Sequence, residues 1–147
     1  MQKRACQEAM NYYAVIDTNV LVSALLNGSS IPGIVVSNAL AGSIIPLLNG
    51  EILDEYRDVL ARDKFGFNKG LVDKMISHIK RRAIFLERTK TEEAFPDKSD
   101  AVFYEIVMTA REVTEAYLVT GNTKHYPAKS FVVTPREMLD KIEQENN

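Results

Sequence analysis

Short runs in which every residue is apolar recur along the chain, each separated from the next by a stretch with helical spacing. Tyr12-Tyr13-Ala14-Val15-Ile16 is the first, and it ends at Asp17. Ile44 to Leu48, Ala83 to Leu86, Ala116 to Thr120 and Phe131 to Val133 follow. A run that is apolar throughout, rather than at every second position, is buried on both faces, as strands of a helix-covered parallel sheet are. Between the runs, Val20, Leu21, Ala24 and Leu25 recur at helical spacing. Ser30 caps a second helix, Pro32 sits in its first turn, Ile34 to Leu40 form its apolar face and Gly42 stops it. Asn49 caps a third from about Gly50 to Lys64, with Ile52, Tyr56, Val59 and Leu60 inward. A fourth, about Asn68 to Arg82, is expected to bury Leu71, Val72, Met75, Ile76 and Ile79, and a fifth spans Ser99 to Arg111. Thr134-Pro135-Arg136-Glu137 has capping-box spacing for a last helix. This alternation predicts an α/β fold, a three-layer sandwich around a central parallel sheet of about five strands with right-handed crossovers.

With 147 residues the chain makes one domain over residues 12–147, preceded at 1–11 by a tail or extension in which Met10 is an alternative start. Cys6 is the single cysteine and forms no internal disulfide. No uncharged apolar run reaches the roughly 18 residues that cross a bilayer, which predicts a cytoplasmic protein with no membrane contact. In that setting the Asn27-Gly28-Ser29 glycosylation pattern is inert. Lys and Arg number 18 against 20 Asp and Glu, a net charge of -2. Such a balance excludes nucleic-acid binding by bulk electrostatics, so a polyanion would need localised cations or a bound divalent metal.

In α/β sheets ligands bind beyond the carboxyl ends of the strands, where the strand order reverses. That rule directs attention to Asp17 after the first strand and Asn122 after the fourth, with Glu55 in the third helix and Asp97 and Asp100 at the mouth of the fifth. Carboxylates gathered at one edge repel one another and raise each other's pKa unless a cation lies among them. Mg²⁺ fits, since it takes hard oxygen ligands and keeps waters, one of which can become a nucleophile. Simpler roles compete. Asp17 can cap a helix, Glu55 can pair with a neighbouring cation in solvent, and Asp97 or Asp100 can favour the positive end of a helix. His78 and His125 have no partner at zinc spacing, and Lys80-Arg81-Arg82 complement a helix C-terminus.

The residues Val15-Ile16-Asp17-Thr18-Asn19-Val20-Leu21, Glu51-Ile52-Leu53-Asp54-Glu55-Tyr56, Asp97-Lys98-Ser99-Asp100, Tyr117-Leu118-Val119-Thr120-Gly121-Asn122 through Tyr126-Pro127, and Val133 to Leu139 occur in order at sensible separations. Together they make the chain resemble the PIN-domain family, from about Tyr13 to Leu139. The resemblance implies a metal-dependent ribonuclease in which Asp17, Glu55 and Asp100 hold Mg²⁺ or Mn²⁺ and Asp97 shares the task. It implies that Thr18 and Thr120 orient the ligands from behind and that Asn122 completes the catalytic set. The family's usual residue there is Asp, so Asn122 keeps an oxygen but loses a charge, which implies a weakened second metal. Lys124, His125 and Lys129, just beyond it, are the candidates for holding RNA. Family habit further implies a toxin of a toxin–antitoxin pair, a homodimer silenced by a small antitoxin protein.

Other classes fit less well. A haloacid-dehalogenase-like phosphatase needs a second Asp where this chain has Asn19, and neither GxGxxG nor GxxxxGK is present for a nucleotide-binding module. The stronger rival is a PIN-like protein that binds RNA or a partner without cutting.

Overall fold

The computed structural model describes residues 11–146. The expectations attached to Cys6 and Met10 lie outside these residues. The apolar runs pair into one sheet. The strands β1 (Tyr12–Ile16), β2 (Ile44–Leu48), β3 (Ile84–Phe85), β4 (Ala116–Val119) and β5 (Val132–Val133) stand in the order β3-β2-β1-β4-β5, and every pairing is parallel. β1 is central: Ala14 is in register with Pro46 on one side and with Tyr117 on the other. The chain leaves β1 toward β2 and later returns to β1's other side as β4. The reversal point of this topology therefore lies between the carboxyl ends of β1 and β4.

Among the described residues six α-helices flank the sheet: α1 (Thr18–Leu26), α2 (Ile31–Ala41), α3 (Gly50–Leu60), α4 (Lys69–Arg82), α5 (Lys98–Arg111) and α6 (Pro135–Asn146). Their starts follow local chemistry. Ser30, Asn49 and Asn68 each accept a bond from the backbone N–H three residues on, satisfying a donor that the helix itself cannot. Thr134 and Glu137 exchange reciprocal bonds at 3.1 and 2.9 Å, the capping box read from sequence. At Gly42 the left-handed φ of 100° ends α2. A Cβ at Gly33 would collide with the Gly28 carbonyl, so glycine there lets α2 close on the turn after α1. No single helix among the described residues is long and apolar enough to cross a membrane.

Three details depart from the sequence reading. The edge strand β3, expected to be buried on both faces, leaves Ile84 and Phe85 exposed because it pairs with β2 on one side only. The third helix ends at Leu60, not Lys64, because Arg62, Phe65 and Gly66 donate backbone bonds to Val59, Arg62 and Asp63 in successive tight turns, with Gly66 left-handed at φ 61°. Leu71 is 61% exposed rather than buried; it sits one turn into α4, off the stripe of Val72, Ile76 and Ile79 that meets the core.

α5 packs across β1, β2 and β4, and α3 packs against α1, α4 and α5 near the sheet's carboxyl edge. Tyr56, fully buried in α3, donates from its hydroxyl to the Ile16 carbonyl at 2.6 Å and so fixes α3 to the residue before Asp17. Arg88 ties the loop after β3 to two helices. Its Nε donates to Glu105 of α5 at 2.6 Å and its Nη1 meets Glu51 of α3 at 3.0 Å.

Candidate metal and nuclease site

Asp17 occupies the N-cap position of α1, yet its side chain makes no capping bond. It turns instead across the strand reversal. Thr120 Oγ1, directly after β4, donates to its Oδ2 at 2.8 Å, the Tyr126 hydroxyl does so at 3.1 Å and Asn19 Nδ2 lies at 3.4 Å. Neighbouring strand ends thus bring together residues more than 100 positions apart. Asn19 also accepts from the Gly121 N–H at 3.0 Å, which fixes the loop after β4 against α1.

Asp100 arrives from above, in the first turn of α5. The Tyr126 hydroxyl lies 3.5 Å from its Oδ1, so one phenol stands between both carboxylates. Asp100 Oδ2 is buried without a hydrogen-bond partner among the described residues, and His125 Nδ1 is 3.6 Å away. Asp17 and Asp100 are only 7% and 8% exposed.

Burial, opposed by the Thr120 and Tyr126 bonds, raises the Asp17 pKa above the ordinary carboxylate value. Burial and the Asp17 charge push Asp100 up to about 6, against a partial offset from His125. Glu55, across the cleft in α3, is also raised, chiefly by burial, with Arg62 opposing and Asp17 and Asp97 adding to the rise. Three separated carboxylates therefore disfavour ionisation at one place, the condition that a bound cation relieves.

The cleft measures 540 Å³, and its walls include Asp17, Glu55, Asp97 and Asp100 together with Arg62 and His125. Asp97 has a second employment. Its Oδ1 accepts from the Ser99 N–H at 3.1 Å, and that bond holds its pKa below the usual range, so it caps α5 while facing the cleft. Thr120 contacts Asp17 directly, whereas Thr18 lines the cleft with a hydroxyl that has no partner among the described residues. Asn122 stands one step back: its N–H donates to Thr120 Oγ1 at 3.0 Å and its Nδ2 lies 2.9 Å from His125 Nε2. Of the three cationic candidates, His125 is on the acidic cleft, while Lys124 and Lys129 line a separate depression of 450 Å³ whose walls include Tyr126. Sequence reasoning gave no role to Tyr126 or Asn19. The Tyr126 signal, a phenol next to a predicted site loop, is too common to single out without the fold.

The donor set suits a hard divalent cation. Asp100 offers an unshared buried oxygen, and Asp17 is held rigidly by neutral donors that orient its carboxylate without neutralising it. Among the described residues no three acidic or histidine groups converge as a ready-made cage. An ion held by Asp17 and Asp100 would keep most of its waters, as Mg²⁺ does.

A pH effect follows. A carboxylate whose folded pKa is raised contributes stability that is present below its unfolded pKa and lost as pH rises through the folded one. For Asp100 that window runs from its ordinary 3.8 to about 6. The thermal midpoint of the protein in EDTA should rise on going from about pH 7 to about pH 5, and saturating Mg²⁺ should shrink the rise. A midpoint that falls across this interval contradicts the mutual repulsion of the acids.

Comparison with known proteins gives one finding. A family model described as "PIN domain" matches residues 13–124. No curated protein and no solved structure shows a significant match.

Proposed function

The chain belongs to the PIN-domain family, a family of metal-dependent nucleases, and from that premise we propose that it is an Mg²⁺-dependent endoribonuclease acting as the toxin of a toxin–antitoxin pair. The observation that carries the catalytic part is the buried pair Asp17 and Asp100 at the β1–β4 reversal, with one carboxylate oxygen unshared. A divalent cation held there would supply charge neutralisation for a scissile phosphate and a more acidic water. Asp17 and Asp100 would hold the ion, with Mn²⁺ an acceptable substitute. Thr120 and Asn19 hold Asp17 in orientation, and Tyr126 spaces the two acids. Glu55, on the same cleft, would accept a proton from an attacking water, and Asp97 faces the same space. Asn122 orients His125, whose ring borders the unshared Asp100 oxygen. Asn at that position leaves the site one negative charge short of the usual family pattern, which favours a single ion.

Cleavage of single-stranded RNA that needs Mg²⁺ and stops in EDTA is the expected result. Tyr126→Phe should lower kcat about 10- to 100-fold, the usual cost of losing an outer partner of a metal ligand, while the fold persists because the ring keeps its packing. Unchanged kcat in this variant means that the phenol does not set the acid geometry.

The toxin reading rests on family habit. It predicts that expression of the chain arrests growth and that Asp17→Asn relieves the arrest. A homodimer and a small antitoxin whose C-terminal segment enters the acidic cleft belong to the same reading. Asn122 is the specific observation that favours the alternative of an RNA- or partner-binding protein that does not cut. RNA binding with no cleavage in either Mg²⁺ or Mn²⁺ would select it.

A further inference from the structure

The wall of the cleft facing the acids carries an aromatic group that the fold does not use. α3 ends at Leu60, and the turns that follow place Arg62 and Phe65 on the cleft. Phe65 is half-buried and stacks on Phe67 with ring centroids 5.3 Å apart and planes 9° from parallel. The two rings differ in employment. Phe67 packs against the hydrophobic core and lines the pocket between α3 and α4, whereas Phe65 does not belong to that core. The left-handed Gly66 between them folds the chain so that residues two apart share one side. Phe67, packed on the core, thus backs a second ring that lines the cleft. Besides Phe67, the Lys64 ammonium lies 5.1 Å from the Phe65 ring centroid.

Beside this ring Arg62 is half-exposed and paired only loosely, at 4.0 Å, with Asp58. An aromatic face next to a guanidinium, beside a site for phosphodiester chemistry, is the pairing that single-stranded nucleic acid uses. A base stacks and the adjoining phosphate meets a cation, without sequence readout. Apart from His125, the other ionisable groups of the cleft are carboxylates that repel a phosphate backbone, so Arg62 and Phe65 are where the lining favours a strand.

We propose that Phe65, backed by Phe67 and flanked by Arg62, is a stacking subsite for an unpaired nucleobase of the substrate strand. The base lies on the α3–α4 side of the acids, and Arg62 contacts its phosphate. The subsite selects single-stranded over duplex substrate, because a paired base cannot offer its face to Phe65. It rests on the nuclease reading for its purpose, though not for its detection.

The test compares the full-length chain with Phe65→Trp, Phe65→Leu and Phe65→Ala. Binding of a short fluorescent single-stranded RNA is read by anisotropy, once with Ca²⁺ replacing Mg²⁺ and once in EDTA, and cleavage in Mg²⁺ is resolved into kcat and KM. Phe65→Ala and Phe65→Leu should each weaken binding and raise KM about tenfold or more, with kcat at saturation changed little, while Phe65→Trp retains both. A leucine that restores binding as well as tryptophan would overturn the proposal in favour of an apolar contact of the kind a protein partner makes. Affinity indifferent to residue 65, or no RNA binding by the wild type, overturns it as well. If binding depends on Phe65 but no metal supports cleavage, the stacking subsite stands and the nuclease reading fails.

Discussion

Asp17→Asn should reduce Mg²⁺-dependent RNA cleavage by on the order of 10³-fold or more, because loss of an outer partner of a metal ligand alone costs about 10- to 100-fold. Asn is nearly the same shape and keeps an oxygen to accept from Thr120 and Tyr126, so the hydrogen-bonded frame survives. The change removes a charge that the fold disfavours, since burial raises the Asp17 pKa and its charge raises that of Asp100. The variant in EDTA should therefore be at least as stable as the wild type near neutral pH, while its stabilisation by Mg²⁺ is lost. Loss of function with a gain in metal-free stability is the mark of a residue kept for chemistry. Labelled-RNA cleavage and thermal unfolding of the same preparation read both quantities. Cleavage at wild-type rates removes Asp17 from the mechanism, and a large fall in the midpoint assigns it to the fold.

The second large effect concerns stability. Arg88→Ala removes the guanidinium from Glu105, which is 6% exposed and whose remaining contacts include the Thr91 N–H at 3.3 Å. Removing one partner of a buried ion pair costs about 3–5 kcal/mol; Arg88 is itself partly open to water, which lowers the expected loss to about 2–3 kcal/mol. For a domain of this size that lowers the thermal midpoint by roughly 4–12 °C. Adding Glu105→Gln should recover part of the loss, because it is the stranded charge that destabilises. A midpoint within about 2 °C of wild type would show that water compensates Glu105 fully.

The sheet was legible from local pattern because each strand is a short run of wholly apolar residues, and the caps at Ser30, Asn49, Asn68 and Thr134 act over three residues. Leu71 was misplaced because four neighbouring apolar positions in α4 make a stripe wider than the face that meets the core. The end of α3 was misplaced because charged residues from Ala61 to Lys64 suit a helix, and only the turn made by Gly66 halts it. Asp17, Glu55, Asp97 and Asp100 were identifiable by topology and by resemblance, and the fold places all four on one cleft. What local pattern could not supply was the side-chain arrangement: that Tyr126 would reach both acids, that Asp97 would spend an oxygen on the Ser99 N–H, and that Lys124 and Lys129 would lie in the neighbouring depression. These depend on tertiary positions fixed by residues far away in the chain, such as the Asn19 bond to Gly121.

Calorimetric titration of Mg²⁺ into the wild-type chain and into Asp100→Asn at neutral pH addresses the cation site most directly. A single ion bound by the wild type, with affinity reduced at least tenfold in the variant, is the predicted result. Equal binding by both proteins, or none by the wild type, would contradict the assignment of the Asp17–Asp100 pair as the seat of the metal.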